Sequence, residues 1–235
     1  MRANTDWFRD AGWGVFVHYL AAPASSPTAP QLSVEEWNRR VDGFDVQGLA
    51  DQLAAVGAGY FFITLGQNSG FFLSPNEAYD SLVKRSPSRL SRRDLVADLI
   101  DALVPRGIRV MVYLPSHAPA MDRQAVEGLK CTPRWDASCW QLRPGSYLAY
   151  EGVDDRLSDF QRHWEAVIRE WSQRWEGGVS GWWFDGCYLA DRMYRHPDEP
   201  NFASFAAAAR AGNPDSLVAF NPGVKVPVIC YTEHE

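Results

Sequence analysis

Short apolar runs recur along the chain, and each stops abruptly at a polar or turn residue. Residues 14–19 (GVFVHY), 60–65 (YFFITL), 108–114 (IRVMVYL), 181–185 (GWWFD) and 217–220 (LVAF) read as buried strands. Between them the period changes to that of helices. In residues 45–56, Val46, Leu49, Ala50, Leu53 and Ala54 fall on one face, and Gly57 and Gly59 stop the pattern. Residues 94–103 align Leu95, Leu99 and Leu103, with Ser91 as a cap near the start. Residues 159–175 carry Phe160, Trp164, Val167, Ile168 and Trp171, and Gly177 and Gly178 end that run. Residues 202–211 form a short alanine-rich helix.

Strands that alternate with helices predict an α/β fold with a parallel sheet covered by helices. No glycine-rich phosphate loop follows the first strand, which argues against a dinucleotide-binding sheet. The spacing suits a (β/α)8 TIM-like barrel. Such a barrel typically needs ~250 residues, and this chain reaches only about its fifth or sixth unit. The expectation is one catalytic barrel domain over residues 1–235, incomplete within this chain. Residues 21–31 and 117–155 read as long loops on the C-terminal face.

Composition narrows the classes. The chain has 235 residues, 46% of them hydrophobic and 22% charged, which is a globular balance. A net charge of −6 excludes the basic footprint of a nucleic-acid binder. No apolar run approaches the ~20 residues of a membrane span. The N-terminus is polar, so no signal peptide is expected and the cytoplasm is the default location. The four cysteines and five histidines lack metal-ligand spacing, and neither a metal nor another cofactor is expected. Cys131 and Cys139 could pair in a secreted protein; reduced thiols are the simpler reading. His163 and His196 read as surface residues. Ten Trp, nine Tyr and twelve Phe are a surplus that suits both core packing and stacking on sugar rings.

The candidate chemistry lies at the strand ends. Asp185 closes a buried aromatic strand, where parallel α/β folds place their reacting groups. It could equally be an ordinary turn residue before Gly186. His18, the Gln67-Asn68-Ser69 turn, Tyr113 with His117, and Asn221 occupy the other strand ends. Together they bring neutral donors and acceptors to one rim, which suits a polyhydroxylated ligand and not a phosphate. Strand alternation puts Trp183 on the face of Asp185 and turns Trp182 towards the helices.

At these positions the chain resembles the α-L-fucosidase family of retaining glycoside hydrolases. Trp7-Phe8-Arg9-Asp10-Ala11 with residues 14–19 is similar to that family's opening motif. The resemblance gives His18 a sugar contact. Glu36-Trp37 looks like the family's Glu-Trp pair on the loop after the first strand. Residues 45–72 are similar to its second unit, ending in Gly70-Phe71, and Tyr113 stands at its tyrosine position. Trp183-Phe184-Asp185-Gly186 looks like its nucleophile motif. Two family histidines and an aspartate are replaced here by Gln67, Asn68 and Ser69. Gly223 stands where an arginine is common.

The resemblance implies a retaining glycosidase that hydrolyses a terminal sugar through a covalent intermediate on Asp185. Glu235 would be the acid/base, with Glu233 the alternative. His18, Glu36, Trp37, Gln67, Asn68, Tyr113 and Trp183 would bind the substrate. Hydrogen bonds from His18 or Tyr113 would keep Asp185 ionised. The expected partner is a carbohydrate; neither nucleic acid nor membrane is expected. Two other readings stay open: a non-catalytic sugar-binding or scaffold barrel, and a glycosidase for a different sugar.

Overall fold

The apolar runs become strands and the helical periods become the layer outside them. The computed structural model describes residues 3–21, 32–131, 154, 156–187 and 193–221. Its strands are β1 (Gly14–Val17), β2 (Tyr60–Thr64), β3 (Arg109–Pro115), β4 (Val179–Asp185) and β5 (Leu217–Asn221). They form one parallel sheet in the order β1-β2-β3-β4-β5. The helices are α1 (Asp6–Asp10), α2 (Val34–Asp42), α3 (Val46–Ala55), α4 (Glu77–Val83), α5 (Leu95–Leu103), α6 (Arg123–Gly128), α7 (Ser158–Trp175) and α8 (Phe202–Ala209).

Local chemistry starts several of these helices. The Asp45 carboxylate accepts from the Gly48 N–H at 2.8 Å and caps α3. Asp94, not Ser91, caps α5 by accepting from the Ala97 N–H at 3.0 Å. Ser91 instead donates to the Arg93 carbonyl. Asn201 and Ser204 form a reciprocal capping box on α8. Four of the helices, α1 among them, were not expected from the sequence. α2 holds Glu36 and Trp37, which were expected on a loop. α4 follows the second strand unit, and α6 lies within the stretch read as the long loop 117–155.

Alternation along the strands sorts the aromatics into two sets. Phe61, Ile63, Val110, Val112, Trp182, Phe184, Val218 and Phe220 are buried beneath the helices. There a ladder of near-parallel rings runs from Trp171 and Trp175 on α7 through Trp182 and Phe184 on β4 to Phe220 on β5. Successive centroids are 5.6 to 6.4 Å apart, and each such pair adds roughly 0.5–1.5 kcal/mol beyond its burial. Among the described residues, five of the eight tryptophans are therefore core. Trp37, Trp164, Trp171 and Trp182 rank among the largest fully buried side chains.

The other face is concave. Phe16 on β1 lies 5.5 Å from Phe62, 5.5 Å from Tyr113 and 5.6 Å from Trp183, reaching β2, β3 and β4 at once. Strands spaced ~4.8 Å apart in a flat sheet would hold β1 and β4 about 14 Å apart. The sheet therefore curls, as barrel strands do. Among the described residues β1 and β5 each pair on one side only, so what is shown is an arc of five strands.

Candidate active site

Asp185 is the last residue of β4, and the register fixes its surroundings. It pairs directly with Asn221 on β5 and with Pro115 on β3. Tyr113, two residues before Pro115, points to the same concave face, and its long side chain reaches up to the carboxylate. Three donors result. The Tyr113 hydroxyl donates to Asp185 Oδ2 at 2.6 Å. Asn221 Nδ2 donates to Oδ1 at 2.8 Å, and the Gly186 N–H donates to Oδ1 at 2.9 Å. The last contact needs the chain to turn back at once. Gly186 does so at φ +82°, a conformation that side-chain-bearing residues rarely adopt.

Around this carboxylate stand other rim groups. Gln67 Nε2 donates to the Tyr113 hydroxyl at 3.1 Å. The His18 ring meets Tyr113 edge-on with centroids 5.3 Å apart, and its Nδ1 is joined to the buried Thr64 hydroxyl at 2.6 Å. The expected bond from His18 to Asp185 is thus replaced by one to Thr64, and Tyr113 holds the carboxylate. Asn68 belongs to the turn after β2, and its carbonyl accepts from the Met121 N–H at 2.9 Å. That turn is braced from behind. The Asp122 side chain is 1% exposed and pairs with Arg85 and Arg89, and Gly70 at φ +79° lies against its carboxylate.

Two expected site residues sit elsewhere. Trp37 is 1% exposed and its indole N–H donates to the Phe72 carbonyl at 3.0 Å. It is a core residue with no face for a sugar. The Glu36 carboxylate is engaged by Arg39 and Arg40 along the flank of α2. Trp183 does share the concave face with Asp185, packed between Phe16, Phe62 and Tyr113. Glu233, Glu235 and Gly223 lie outside the described residues.

The sequence pointed to Asn221 and His117 as strand-end polar groups without giving them a site role. Asn221 is a direct partner of Asp185. His117 follows β3, and its Nδ1 is 2.7 Å from the Ala118 carbonyl, so that nitrogen carries the proton. Burial lowers its pKa from 6.5 to about 4, so at neutral pH it is an uncharged imidazole and not a proton donor. Two residues after Asp185, burial pushes the Cys187 thiol up to about 12, which makes it inert. Cys131 is also a buried free thiol, and Cys139 lies outside the described residues. His163 and His196 are partly exposed.

A cavity of about 490 Å³ lies deeper in the concavity, lined by Phe8, Phe16, Phe62, Met111, Trp183 and Leu217, among others. Asp185 does not line it. In closed barrels, layers of side chains fill the corresponding space. Among the described residues, no group of three His, Cys, Asp or Glu is arranged to hold a metal. Among them, too, no helix is long and apolar enough to cross a membrane.

A curled parallel sheet with a carboxylate at the end of β4 can be compared with solved structures. The fold is similar to that of solved glycoside hydrolases. An endo-fucoidan hydrolase of glycoside hydrolase family 107 matches 94% of this chain and 33% of its own length, at 18% identity and TM-score 0.63. The family 29 α-L-fucosidase of Bacteroides thetaiotaomicron matches 92% of this chain and 48% of its own, at 18% identity and TM-score 0.56. The Lactobacillus casei α-L-fucosidase, solved with α-L-fucose product, matches 92% of this chain and 70% of its own, at 16% identity and TM-score 0.58. At such identities the likeness is one of fold. The chain spans half or less of the endo-fucoidan hydrolases it matches, from 33% to 50% of their lengths. No protein-family profile and no curated protein sequence matches the chain.

Proposed function

We propose that this chain carries the nucleophile side of a retaining glycoside hydrolase site that cleaves a terminal α-L-fucose-like sugar. One observation carries the reading: a rim carboxylate held by three donors at the end of β4. Those bonds fix the orientation of the carboxylate at the rim. Asp185 would attack the anomeric carbon as the glycosidic C–O bond breaks, and water would then release the sugar from the ester. In a retaining site the partner carboxyl lies about 5–5.5 Å away. Glu235 is proposed for that place, with Glu233 as the alternative. His18, Gln67 and Asn68 are the proposed hydroxyl contacts, and Trp183 walls the site from below. The similar fold of two α-L-fucosidases supports the sugar class. The domain is then read as part of a (β/α)8 barrel spanning residues 1–235.

The experiment is a mechanism-based trap. The protein is incubated with 2-deoxy-2-fluoro-fucosyl fluoride, whose fluorine slows ester hydrolysis, and digested for mass spectrometry. A fluorofucosyl mass on the peptide containing Asp185 is expected. A label on another carboxylate would reassign the nucleophile. Turnover of aryl fucosides with no label, and with inversion at the anomeric carbon, would overturn the retaining reading.

A further inference from the structure

Gln67 stands where the sequence resemblance suggested a direct sugar contact. The structure gives its amide another task. Tyr113 has one hydroxyl proton, and the 2.6 Å bond to Asp185 Oδ2 uses it, because a carboxylate oxygen can only accept. The phenol oxygen can therefore only accept from Gln67, 3.1 Å away. That fixes the orientation of the amide, with its NH2 towards Tyr113 and its oxygen turned away. Gln67 and Tyr113 are 46 residues apart, and Tyr113 and Asp185 are 72 apart. Each bond polarises the next.

We infer that Gln67 is a positioning residue: its amide N–H holds the Tyr113 hydroxyl proton on Asp185. This rests on the reading of Asp185 as nucleophile. On this reading the NH2 group acts through Tyr113, in place of a direct sugar contact. A side chain of the same length that accepts where Gln67 donates would reverse the relay. Glutamate is that side chain, since its carboxylate would draw the phenol proton away from Asp185.

The test is a double-mutant cycle with Gln67→Leu, Gln67→Glu and Tyr113→Phe, reading kcat and KM on an aryl fucoside. Gln67→Leu is expected to lower kcat about tenfold and Gln67→Glu about a hundredfold, with KM changed less than about threefold. In the Tyr113→Phe background neither substitution should lower kcat further. Additive losses, or a loss confined to KM, would overturn the relay and return Gln67 to sugar binding. A second readout needs no turnover. In the free protein, the downfield proton NMR signal assigned to the Tyr113 hydroxyl by its loss in Tyr113→Phe should shift in Gln67→Leu and vanish or move strongly in Gln67→Glu. An unchanged signal would sink the inference even if the protein is an active glycosidase. A shifted signal in a protein without glycosidase activity would keep the relay and refute only the assigned reaction.

Discussion

The rings of Phe16 and Trp183 sit 5.6 Å apart although the strands that carry them are separated by two others. That contact is the most direct measure of the curl that gathers the strand ends into one rim. It also divides two adjacent tryptophans. Trp183 lines the concavity, half-buried, while Trp182 is 1% exposed and stacked between Trp175 and Phe184.

Trp182→Ala should therefore destabilise the fold by about 3–5 kcal/mol, the usual cost of removing a buried aromatic. Trp183→Ala should cost less than half as much, because part of its surface is already open. Urea unfolding of both variants checks this; equal losses would contradict the two-faced description of β4.

Asp185→Asn should abolish turnover, by on the order of 10⁴-fold or more, while the fold survives. The asparagine oxygen can keep the Gly186 and Asn221 donors, and Tyr113 can turn its proton away to accept from the new amide. A loss of about 1 kcal/mol or less is expected. Activity and thermal melting on the same preparation decide it, and substantial residual turnover would move the nucleophile elsewhere.

Tyr113→Phe removes one of three donors and leaves the ring contacts with Phe16, His18 and Trp183 in place. A fall in kcat of roughly 10- to 100-fold with little change in stability is expected, since a hydrogen bond to a charged group is worth about 1.5–3 kcal/mol. A collapse of the fold instead would show that the phenol is a structural strut.

Two partly buried groups should give stability opposite dependences on pH. Burial lowers the His117 pKa from 6.5 to about 4, so the unfolded chain takes the proton first and stability falls as pH drops through that window. Glu165 on α7 accepts from the Ser204 hydroxyl on α8 at 2.6 Å. Burial raises its pKa from 4.5 to about 7, so the folded state holds the proton and stability falls as pH rises through that window. Between pH 4.5 and 6.5 the two slopes oppose one another. Glu165→Gln should gain on the native protein as pH rises, and His117→Gln should gain as pH falls, each by on the order of 0.5–1 kcal/mol per pH unit. Denaturant titrations at several pH values test both signs.

Much of the scaffold could be read from the chain because its strands are sharply bounded. The runs ending at Asp185 and Asn221 were legible as strands, and alternation alone separated Trp183 from Trp182. α2 was missed because Ser33, its cap, follows a polar, proline-rich stretch, and its apolar face comprises little beyond Trp37 and Val41. The same miss put Trp37 on a loop facing sugar. Inside a helix, the side of Trp37 that meets Phe71 and Tyr19 is core.

The sequence by itself determined the strand and helix order, the two faces of each strand and the identity of the carboxylate at the end of β4. These follow from periods of a few residues, which a chain carries locally. Only the tertiary structure decided which groups meet that carboxylate. Asn221 reaches Asp185 through a β4–β5 register that neither strand encodes alone. Gln67 finds Tyr113 because β2 and β3 lie side by side, and His18 turns to Thr64 because β1 curls against β2. Hydrogen bonds need placement to within a few tenths of an ångström, and that is set by the curl and register of the whole sheet.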